Sequence, residues 1–466
     1  MFQYTLRVRD LIHGTILFTK REEEVINHPL FQRLRQIRQN DVAFFVYPSL
    51  NTSRLEHVLG TCRVAGMMAE HLTRSPKWRT YLKELKTETG IASKEQFVEL
   101  VRLYALLHDI GHLPLSHLFE MAAEEWSKDA TGIIRAWTGV DGFHKLHEAF
   151  GAIIAEQIVS KVGLLEPTRR MLTRLMTEKT LPLGDPLSVI KSLIDSEIDA
   201  DRTDFVQRDG LLAGGEYGHY DIRRLCDSVF IEHDERGWFI AYSDKALTSM
   251  EALFLDRYRT HIWIHFHHRV VAIKMLVRFL IGRALERGLI RKEQFNPADI
   301  ERFALRDDVW LWSVLRDMEV DDEIARRIQR TIFYREKKNV LNLWKHRPEY
   351  HELREQVKLK ARVTGIDYGF VGLYKNHLTE RIGVDVLWFK VPFKPISEKA
   401  ILLYSEDEQR LTGKNLLDVS RLITDLEDIW KSEPQEFILL VGENVAEKAR
   451  ELKRQWIELT ASWVQK

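Results

Sequence analysis

The 466-residue sequence predicts a mainly α-helical protein. Apolar residues recur at helical spacing through most of residues 53–345, whereas runs rich in β-branched and aromatic residues are confined to the tail. A hydrophobic content of 45% with 30% charged residues is typical of a globular chain that buries a core. We therefore expect a helical bundle with a small C-terminal α+β appendage, divided into an N-terminal strand and helix segment (1–50), a helical domain (51–350) and an α+β subdomain (351–466).

The helical domain is predicted to contain five long helical segments. The first begins after Ser53, a suitable N-cap, and the second should end near Gly111 and Pro114. The segments read "SRLEHVLGTCRVAGMMAEHL", "KEQFVELVRLYALLHDIGH", "HEAFGAIIAEQIVSKVG", "DPLSVIKSLIDSEIDADRTDFVQRDGLL" and, in two pieces, "LTSMEALFLDRYRTHIWIHFHHRVVAIKMLVRFLIGRALERG". In the tail, "VDVLWFKVP", "KAILLYS" and "EFILLVG" predict strands, and "NLLDVSRLITDLEDIW" and "NVAEKARELKRQWIELTASWV" predict helices.

Charge and cysteine content narrow the class of protein. Lys and Arg together number 69, as do Asp and Glu, so no overall field favours nucleic acid or a membrane surface. The two cysteines, Cys62 and Cys226, fit a reducing compartment. The N-terminus has no apolar signal region, and no stretch reaches eighteen uncharged apolar residues. These features predict a cytoplasmic protein without a membrane or nucleic-acid partner.

An adjacent His-Asp pair carries the clearest chemical signal. His108 and Asp109 follow an apolar run in "LLHDIGHLPLSH", so they emerge from a core and need partners. Imidazole nitrogens and carboxylate oxygens suit Fe, Mn, Zn or Mg. His57 on the first helix and Asp201 on the fourth could meet the pair at one ion inside the bundle, where the ion would activate water. A single buried histidine is more often a hydrogen-bonded core residue, so the prediction depends on the set.

The wider motif series resembles a known family. "FQRLRQIRQ", "YPSLNTSRLEHVLG", "LLHDIGHLPLSHLFE" and "IDADRTDFVQRD" are similar to the HD-domain deoxynucleoside triphosphate (dNTP) triphosphohydrolases, both the animal enzymes with SAM and HD domains and the bacterial dGTPase-like proteins. The resemblance covers nearly the whole chain and implies an HD-domain helical bundle. It implies a homo-oligomer, from dimer to hexamer, that hydrolyses dNTPs to deoxynucleoside and inorganic triphosphate.

The resemblance also assigns the metal and the catalytic residues. His57, His108, Asp109 and Asp201 match the family's metal ligands, which would bind Fe, Mn, Co or Zn, while Mg accompanies the triphosphate. Three further histidines are catalytic candidates. His117 resembles the family's catalytic histidine, His147 resembles one that contacts the phosphates, and His112 is the third candidate. Glu120 and Glu148 could hold these imidazoles in a useful tautomer.

Cations are needed near a triphosphate. Arg54 matches a phosphate-contacting arginine of the family, and Arg202 stands where the family has Lys or Arg. Arg33, Arg35 and Arg38 predict an Arg-rich helix face, either near the phosphates or at solvent or a subunit contact.

The resemblance extends to the sugar end of the substrate. Gln39 matches a glutamine at the sugar end, and Asp209 matches an aspartate that bonds the 3′-hydroxyl, whereas Asn40 replaces an apolar residue. Phe205 and Phe266 stand where the family has tyrosines that contact the sugar, which weakens the case for strict deoxyribose selection. Simple core packing is the alternative for both phenylalanines.

A candidate regulatory site falls in the first 50 residues, which we expect to form part of the core and a subunit or activator contact. Gln32 and Arg35 match residues of the family's activator site, but Asn27 replaces its guanine-reading aspartate. The resemblance therefore implies a nucleotide activator other than GTP alone.

Two other functions fit an HD motif. One is a phosphodiesterase or nuclease acting on cyclic nucleotides or single-stranded nucleic acid. The zero net charge and the lack of an aromatic-basic stripe count against it. The other is a regulatory nucleotide-binding protein with an inert site, which the complete set of ligands and His117 disfavours. A dNTP hydrolase could serve nucleotide-pool balance or antiviral defence by starving a phage of precursors.

Overall fold

The computed structural model describes residues 3–178, 180–320, 322–343, 384–390, 401–432 and 436–452, together with 454, 455, 458 and 462. Helices dominate these residues, which confirms the predicted mainly α class. The chain forms two compact units. The first is Met1–Ile264 with Arg291–Leu311 and Lys394–Glu433, and the second is His265–Ile290, Trp312–Phe393 and Pro434–Lys466. Domain limits at residues 50 and 350 stay a prediction.

Helices α1 to α19 give the protein its class. In chain order they are α1 (Lys20–Ile26), α2 (Pro29–Gln32), α3 (Arg54–Leu72), α4 (Trp78–Thr89), α5 (Lys94–Leu107), α6 (His117–Ser127), α7 (Ala130–Thr138), α8 (Leu146–Val159), α9 (Glu166–Thr177), α10 (Leu187–Ser192), α11 (Ala200–Leu212), α12 (Ile222–Cys226), α13 (Leu247–Thr260), α14 (His268–Glu286), α15 (Ile300–Ala304), α16 (Asp308–Asp317), α17 (Glu323–Phe333), α18 (Leu416–Val419) and α19 (Arg421–Ser432). Short 3₁₀ turns and one π turn join them; the 3₁₀ turns cover Arg33–Gln36, Ala43–Phe45, Asp244–Ala246, Lys292–Phe295 and Lys337–Asn339, and the π turn covers His261–His265. Among the described residues, no helix is both long and apolar enough to cross a bilayer.

Within the described ranges, three small sheets accompany the helices. The first unit contains an antiparallel hairpin, β1 (Tyr4–Asp10) with β2 (Gly14–Thr19). It also contains a four-stranded sheet in the order β3-β4-β7-β8, formed by β3 (Val229–Asp234), β4 (Gly237–Ser243), β7 (Leu402–Ser405) and β8 (Arg410–Asn415). The second unit contains an antiparallel sheet in the order β5-β9-β6, formed by β5 (Val340–Leu343), β6 (Asp385–Lys390) and β9 (Glu436–Val441).

Most predicted helices are confirmed, with two corrections. Ser53 caps α3 with a complete capping box, because its side chain accepts from the Glu56 amide and the Glu56 carboxylate accepts from the Ser53 amide. The fourth predicted helix is two helices, because Asp199 caps a new helix by accepting from the amide of Arg202. The helical reading of residues 53–345 also missed the β3–β4 hairpin, whose turn ends at Gly237 with φ of +95°.

The tail agrees with its predicted elements where it is described. Three predicted strands appear as β6, β7 and β9, and "NLLDVSRLITDLEDIW" forms α18 and α19. The last predicted helix lies partly outside the described residues.

Candidate active site

Helix α11 lies across α3, and a glycine allows the approach. A Cβ added to Gly60 of α3 would stand 2.0 Å from Asp204 Oδ1 and 2.5 Å from a guanidinium nitrogen of Arg208, both on α11. Any larger residue would displace the side chains of Asp204 and Arg208 from these positions. The close crossing brings the start of α11, with Asp201, to the His57 side chain of α3.

Four side chains of the predicted metal site lie together in the first unit. His57 Nε2 is 2.9 Å from Asp201 Oδ1 and 3.7 Å from Asp109 Oδ2. His108 Nε2 is 3.6 Å from Asp109 Oδ2 and 3.9 Å from Asp201 Oδ1. Donor atoms of His57, His108 and Asp109 all lie within 4.8 Å of one another, so one ion could contact them. Two imidazoles and two carboxylates are the donor set expected for a divalent transition metal.

Hydrogen bonds at the far side of each ring leave Nε2 to face this cluster. The Nδ1 of His57 lies 2.9 Å from Asp204 Oδ2, and the Nδ1 of His108 lies 2.7 Å from the Ala105 carbonyl oxygen. Both Nε2 atoms are buried, and neither makes a contact of hydrogen-bond geometry among the described residues, although His57 Nε2 lies 2.9 Å from Asp201 Oδ1. An Nδ1–H donated to an oxygen places the lone pair on Nε2, as metal-ligating histidines require. The residues therefore fit a divalent metal ion.

The electrostatics of the cluster favour a cation. Burial opposes the charge on Asp201, but the nearby His108 and His57 rings hold its pKa far below the ordinary value. Burial likewise opposes the charge on Asp109, and His108 and Arg54 hold its pKa well below the ordinary value. For His57, burial lowers the pKa but the Asp201 and Asp204 carboxylates outweigh it and raise the pKa to about 10. Ionised carboxylates thus attract positive charge to this point.

Asp204 is the buried support of His57, and the sequence analysis did not identify it. Its oxygens accept from Arg208 at 2.8 and 2.9 Å, contact His13 Nε2 at 2.7 Å and bind His57 Nδ1. Arg208 also donates to Asp10 at 2.9 Å, which ties the β1–β2 hairpin to α11. Asp204 follows Asp201 by three residues, so both lie on neighbouring positions of one helix face. This spacing is the sequence feature that could have identified Asp204.

The predicted catalytic histidines form a second cluster next to the first. His147 Nδ1 lies 2.8 and 2.9 Å from the two carboxylate oxygens of buried Glu120. His112 stacks on His147 with ring centres 4.1 Å apart, and burial followed by the charge of Arg54 holds its pKa well below the ordinary value. His117 lies at the rim, with 56% of its side chain exposed and Nδ1 3.5 Å from Glu120. Glu148, the other predicted support, lines the cavity described below.

A strained turn connects the two clusters. Leu115 and Ser116 both adopt φ of +54°, which L-residues rarely do. The Ser116 hydroxyl donates to the Arg38 carbonyl oxygen at 2.7 Å and accepts from Arg54 Nε at 2.8 Å. Arg54 in turn donates to Asp109, so the predicted phosphate-binding arginine sits beside the metal cluster.

Asp308, at the start of α16, fixes this turn from a distant part of the sequence. Its buried carboxylate accepts from the amide of Leu115 at 2.7 Å and from the amide of Arg38 at 2.9 Å. It therefore joins the loop that carries Gln39 to the loop that carries His112 and ends at His117. No local pattern in the sequence indicated this contact.

Replacing Asp308 with Asn should change how stability depends on pH. Burial raises the pKa of Asp308 to about 7; its bonds to Leu115 and Arg38 and the charge of Arg38 oppose the rise, and Asp307 adds to it. The pKa of Asp308 is higher in the folded protein than in the unfolded chain. The group therefore stabilises the fold fully below about pH 4, and this stabilisation is lost as the pH rises through 7. Over this range the contribution of Asp308 to the free energy of unfolding changes by about 4 kcal/mol at most.

The test is the difference in Tm between the wild type and Asp308→Asn, measured from pH 4 to pH 8. The wild type should lose its advantage progressively across that interval, because the amide does not titrate. A difference that stays constant over the interval would show that the carboxylate does not carry the shifted pKa.

A cavity of about 200 Å³ opens onto both clusters. Its walls include the metal-cluster residues His108, Asp109 and Asp201, the histidine His147 and the cation Lys191. The remaining lining residues are Tyr104, Phe143, Lys145, Glu148, Leu175, Met176, Glu178, Ile194 and Asp195. A ligand in this cavity would touch the metal ligands and a histidine held by Glu120.

The predicted sugar-binding residues lie partly together. Asn40 donates to Asp209 Oδ1 at 2.7 Å, and the neighbouring Gln39 has a buried Oε1 that finds no hydrogen-bond partner among the described residues. The Phe205 ring centre lies 6.4 Å from that of His261. Phe266 belongs to the second compact unit.

Arg202 is engaged by its own helix terminus. Its guanidinium donates to Asp199 and to the Ser196 carbonyl oxygen. A phosphate would have to compete with these bonds, and Arg202 is not among the residues that line the cavity.

The three candidate regulatory residues are neighbours. Asn27 caps the end of α1, Gln32 donates to the Ile26 carbonyl oxygen at 2.6 Å, and Arg35 Nε donates to Gln32 Oε1 at 2.5 Å. The Arg-rich face needs a correction, because Arg33 is buried. It donates to the carbonyl oxygens of Ile110, His112 and Arg306. These residues lie in turns, where no helical backbone N–H is available to their carbonyl groups.

Comparison with known proteins agrees with the motif. The model of the HD domain matches residues 54–193. An uncharacterised protein of Methanocaldococcus jannaschii is 28% identical over 328 residues, which are 70% of this chain and 58% of that protein. A protein of Dictyostelium discoideum described as a deoxynucleoside triphosphate triphosphohydrolase SAMHD1 homologue is 26% identical over 372 residues, or 78% of this chain and 64% of that one.

A solved structure shows the same fold. The crystal structure of a hypothetical protein from Aquifex aeolicus matches with a TM-score of 0.64 and 22% identity, over 96% of this chain and 99% of that one. The chain spans between half and two thirds of the length of the two curated relatives named above, and the same holds for two further relatives. HD domains bind divalent metal ions, and the cluster of His57, His108 and Asp109 is suited to one. Residues 54–193 therefore match an HD domain, and the chain has SAMHD1-like dNTP triphosphohydrolases among its distant relatives.

Proposed function

We propose that the protein is a metal-dependent triphosphohydrolase that converts a dNTP and water into a deoxynucleoside and inorganic triphosphate. One observation carries the proposal: two buried Nε2 atoms without hydrogen-bond partners among the described residues face two ionised carboxylates at the wall of a cavity. The distant SAMHD1-like relatives support dNTPs as the substrate.

The four residues of the cluster would hold the ion. These are His57, His108, Asp109 and Asp201. A bound divalent ion supplies Lewis acidity to a phosphoryl group and to the attacking water. We expect Fe, Mn, Co or Zn here and Mg with the triphosphate.

The protein's own side chains then position charge and a proton. Arg54, held by Ser116 and Asp109, presents a guanidinium beside the cluster, where it would neutralise a phosphate oxygen. Water adds to the α-phosphorus and the bond from phosphorus to the 5′-oxygen breaks, so that oxygen needs a proton. His147 is placed to give it, because Glu120 holds Nδ1–H and directs Nε2 away, while the ring lines the cavity.

Product analysis tests this reaction. Each dNTP and NTP, singly and in pairs, should be incubated with Mg, Mn, Co or Fe and the products separated by ion-exchange chromatography. We expect deoxynucleoside and triphosphate in equal amounts. Deoxynucleoside monophosphate with pyrophosphate, or orthophosphate alone, would contradict the proposed bond cleavage, and degradation of labelled single-stranded DNA would favour a nuclease instead.

We further propose that the protein works as a homo-oligomer under nucleotide control. Asn27, Gln32 and Arg35 are the candidate activator residues, and a single site is supported because Arg35 bonds Gln32, which in turn bonds the Ile26 carbonyl oxygen next to Asn27. The paired incubations test this control, because an activator should raise turnover of a second nucleotide. Light scattering with and without nucleotide measures assembly.

A further inference from the structure

An exposed tryptophan lies in the first unit on an unusual backbone segment. Trp263 belongs to the π turn that ends α13, and 49% of it is exposed. π turns are rare and often occur at functional sites. An indole exposed to this degree offers an aromatic face on which a flat ligand could stack.

Two tyrosines hold Trp263 in place. The Tyr47 hydroxyl donates to the Trp263 carbonyl oxygen. The largely buried Tyr217 meets the indole edge to face, with ring centres 5.0 Å apart and an angle of 73° between the planes. Arg259 lies 6.0 Å from the ring centre, at the outer limit of a cation–π contact, so it does not cover the ring closely. The indole is thus rigid and accessible, which lowers the entropy cost of stacking a ligand on it.

The contacts of this tryptophan lead back to α11, the helix that carries Asp201 of the metal cluster. The Tyr217 carbonyl oxygen lies against Gly210, where a Cβ would stand only 2.6 Å from it, and Gly210 follows Asp209 on α11. Asp209 accepts from Asn40, whose loop continues to Tyr47. A closed circuit of contacts and short chain links therefore joins six residues, namely Asn40, Asp209, Gly210, Tyr217, Trp263 and Tyr47.

The position along α11 matches the length of a nucleotide. Asp209 follows the metal-cluster residue Asp201 by eight residues, a rise of about 12 Å along the helix. That distance is comparable to the span from the α-phosphate of a nucleotide to the far edge of its base. A nucleotide whose α-phosphate lies at the metal cluster would thus place its base near the circuit that contains Trp263.

We propose that Trp263, supported by Tyr217, is the surface on which the nucleobase stacks. The proposal rests on the proposed function only in taking the metal cluster as the site of the α-phosphate. Stacking on an indole accepts every base, because each has a π face. The subsite thus contributes affinity for all nucleotides, and purines gain more from their larger rings.

Ligand binding to the metal-loaded protein tests the stacking surface. The probes are a dATP analogue with a methylene group in place of the 5′-oxygen, which cannot be cleaved at that bond, and inorganic triphosphate, which has no base. In Trp263→Ala the Kd of the nucleotide should rise by about 5- to 150-fold, the range for one stacked base. The Kd of triphosphate should stay unchanged, and Trp263→Phe should restore most of the nucleotide affinity.

The matched control is Trp126→Ala, which removes an indole of similar exposure from α6. An unchanged nucleotide Kd in Trp263→Ala would overturn the stacking surface, as would an equal loss of triphosphate affinity. If the wild type binds the analogue through Trp263 but releases no triphosphate from dATP, the proposed reaction fails and the stacking surface stands. A wild type that binds neither probe would reject both.

Discussion

Replacing His57 with Ala, or Asp109 with Asn, should remove bound metal and turnover together. Each substitution deletes a donor from a four-residue set whose two imidazole nitrogens have no other partner among the described residues. Loss of the ion removes a contribution of several kcal/mol to transition-state stabilisation, so we expect turnover to fall by about 1,000-fold or more. Metal content by mass spectrometry and triphosphate release are measured on the same preparations.

The fold should survive these substitutions. In His57→Ala, Asp204 keeps its bonds to Arg208 and its contact with His13, so no buried charge is left unpaired. In Asp109→Asn, the amide oxygen still accepts from Arg54. Circular dichroism and Tm should therefore stay close to those of the wild type.

His71→Ala is the matched control for His57→Ala, because it removes a histidine from the same helix, where His71 contacts Asp227 and Phe230. It should keep both metal and activity. A His57 or Asp109 variant that retains full turnover, or one that loses turnover with its full metal content, would contradict the ligand assignment.

The metal cluster could be predicted from the sequence because helical spacing and residue chemistry are local properties. His108 and Asp109 are adjacent, and Ser53 set the start of the helix that carries His57. Helix α3 and the end of α5 then had to meet α11, which crosses α3 and brings Asp201 to His57. The crossing itself depends on Gly60, whose missing side chain became meaningful only once Asp204 was seen against it.

The supports of the site could not be predicted in the same way. Asp308 reaches Leu115 across 193 positions of the sequence, and Arg33 reaches the His112 carbonyl oxygen across 79. Such contacts satisfy backbone groups in turns, and nothing in the local pattern marks which distant side chain will do so. The sequence therefore predicts an Arg-rich helix face at Arg33, near the phosphates or at solvent or a subunit contact, whereas the carbonyl groups of those turns keep Arg33 buried.

The break between α10 and α11 has a related cause. The segment from Leu187 to Leu212 is apolar at helical spacing throughout, so periodicity predicts one helix. Asp199 nevertheless accepts from the amides of Ser196 and Arg202, and side-chain bonds of this kind compete with the helical ladder. The new start at Ala200 places Asp201 in the first turn of α11 and so brings it to His57.

Replacing His147 with Gln should lower kcat by about 100- to 10,000-fold, the usual contribution of a general acid, with little change in KM or metal content. Glu120 fixes the His147 imidazole through Nδ1. Burial opposes the charge on Glu120, but His147 and His117 hold the pKa of Glu120 well below the ordinary value. The ionised carboxylate therefore holds the His147 ring in a fixed orientation for proton transfer. Glu120→Gln should reproduce part of the loss in kcat, because the amide keeps the size but not the charge.

His117→Gln decides between the two candidate proton donors. The family resemblance favours His117, whereas the structure leaves 56% of its side chain exposed and puts its Nδ1 3.5 Å from Glu120, compared with 2.8 Å for His147. A ring held at the longer distance and open to water is less well oriented for proton transfer. We therefore expect His117→Gln to lower kcat by about tenfold or less. A loss equal to or greater than that of His147→Gln would assign the proton donor to His117 and leave His147 to orient the phosphates.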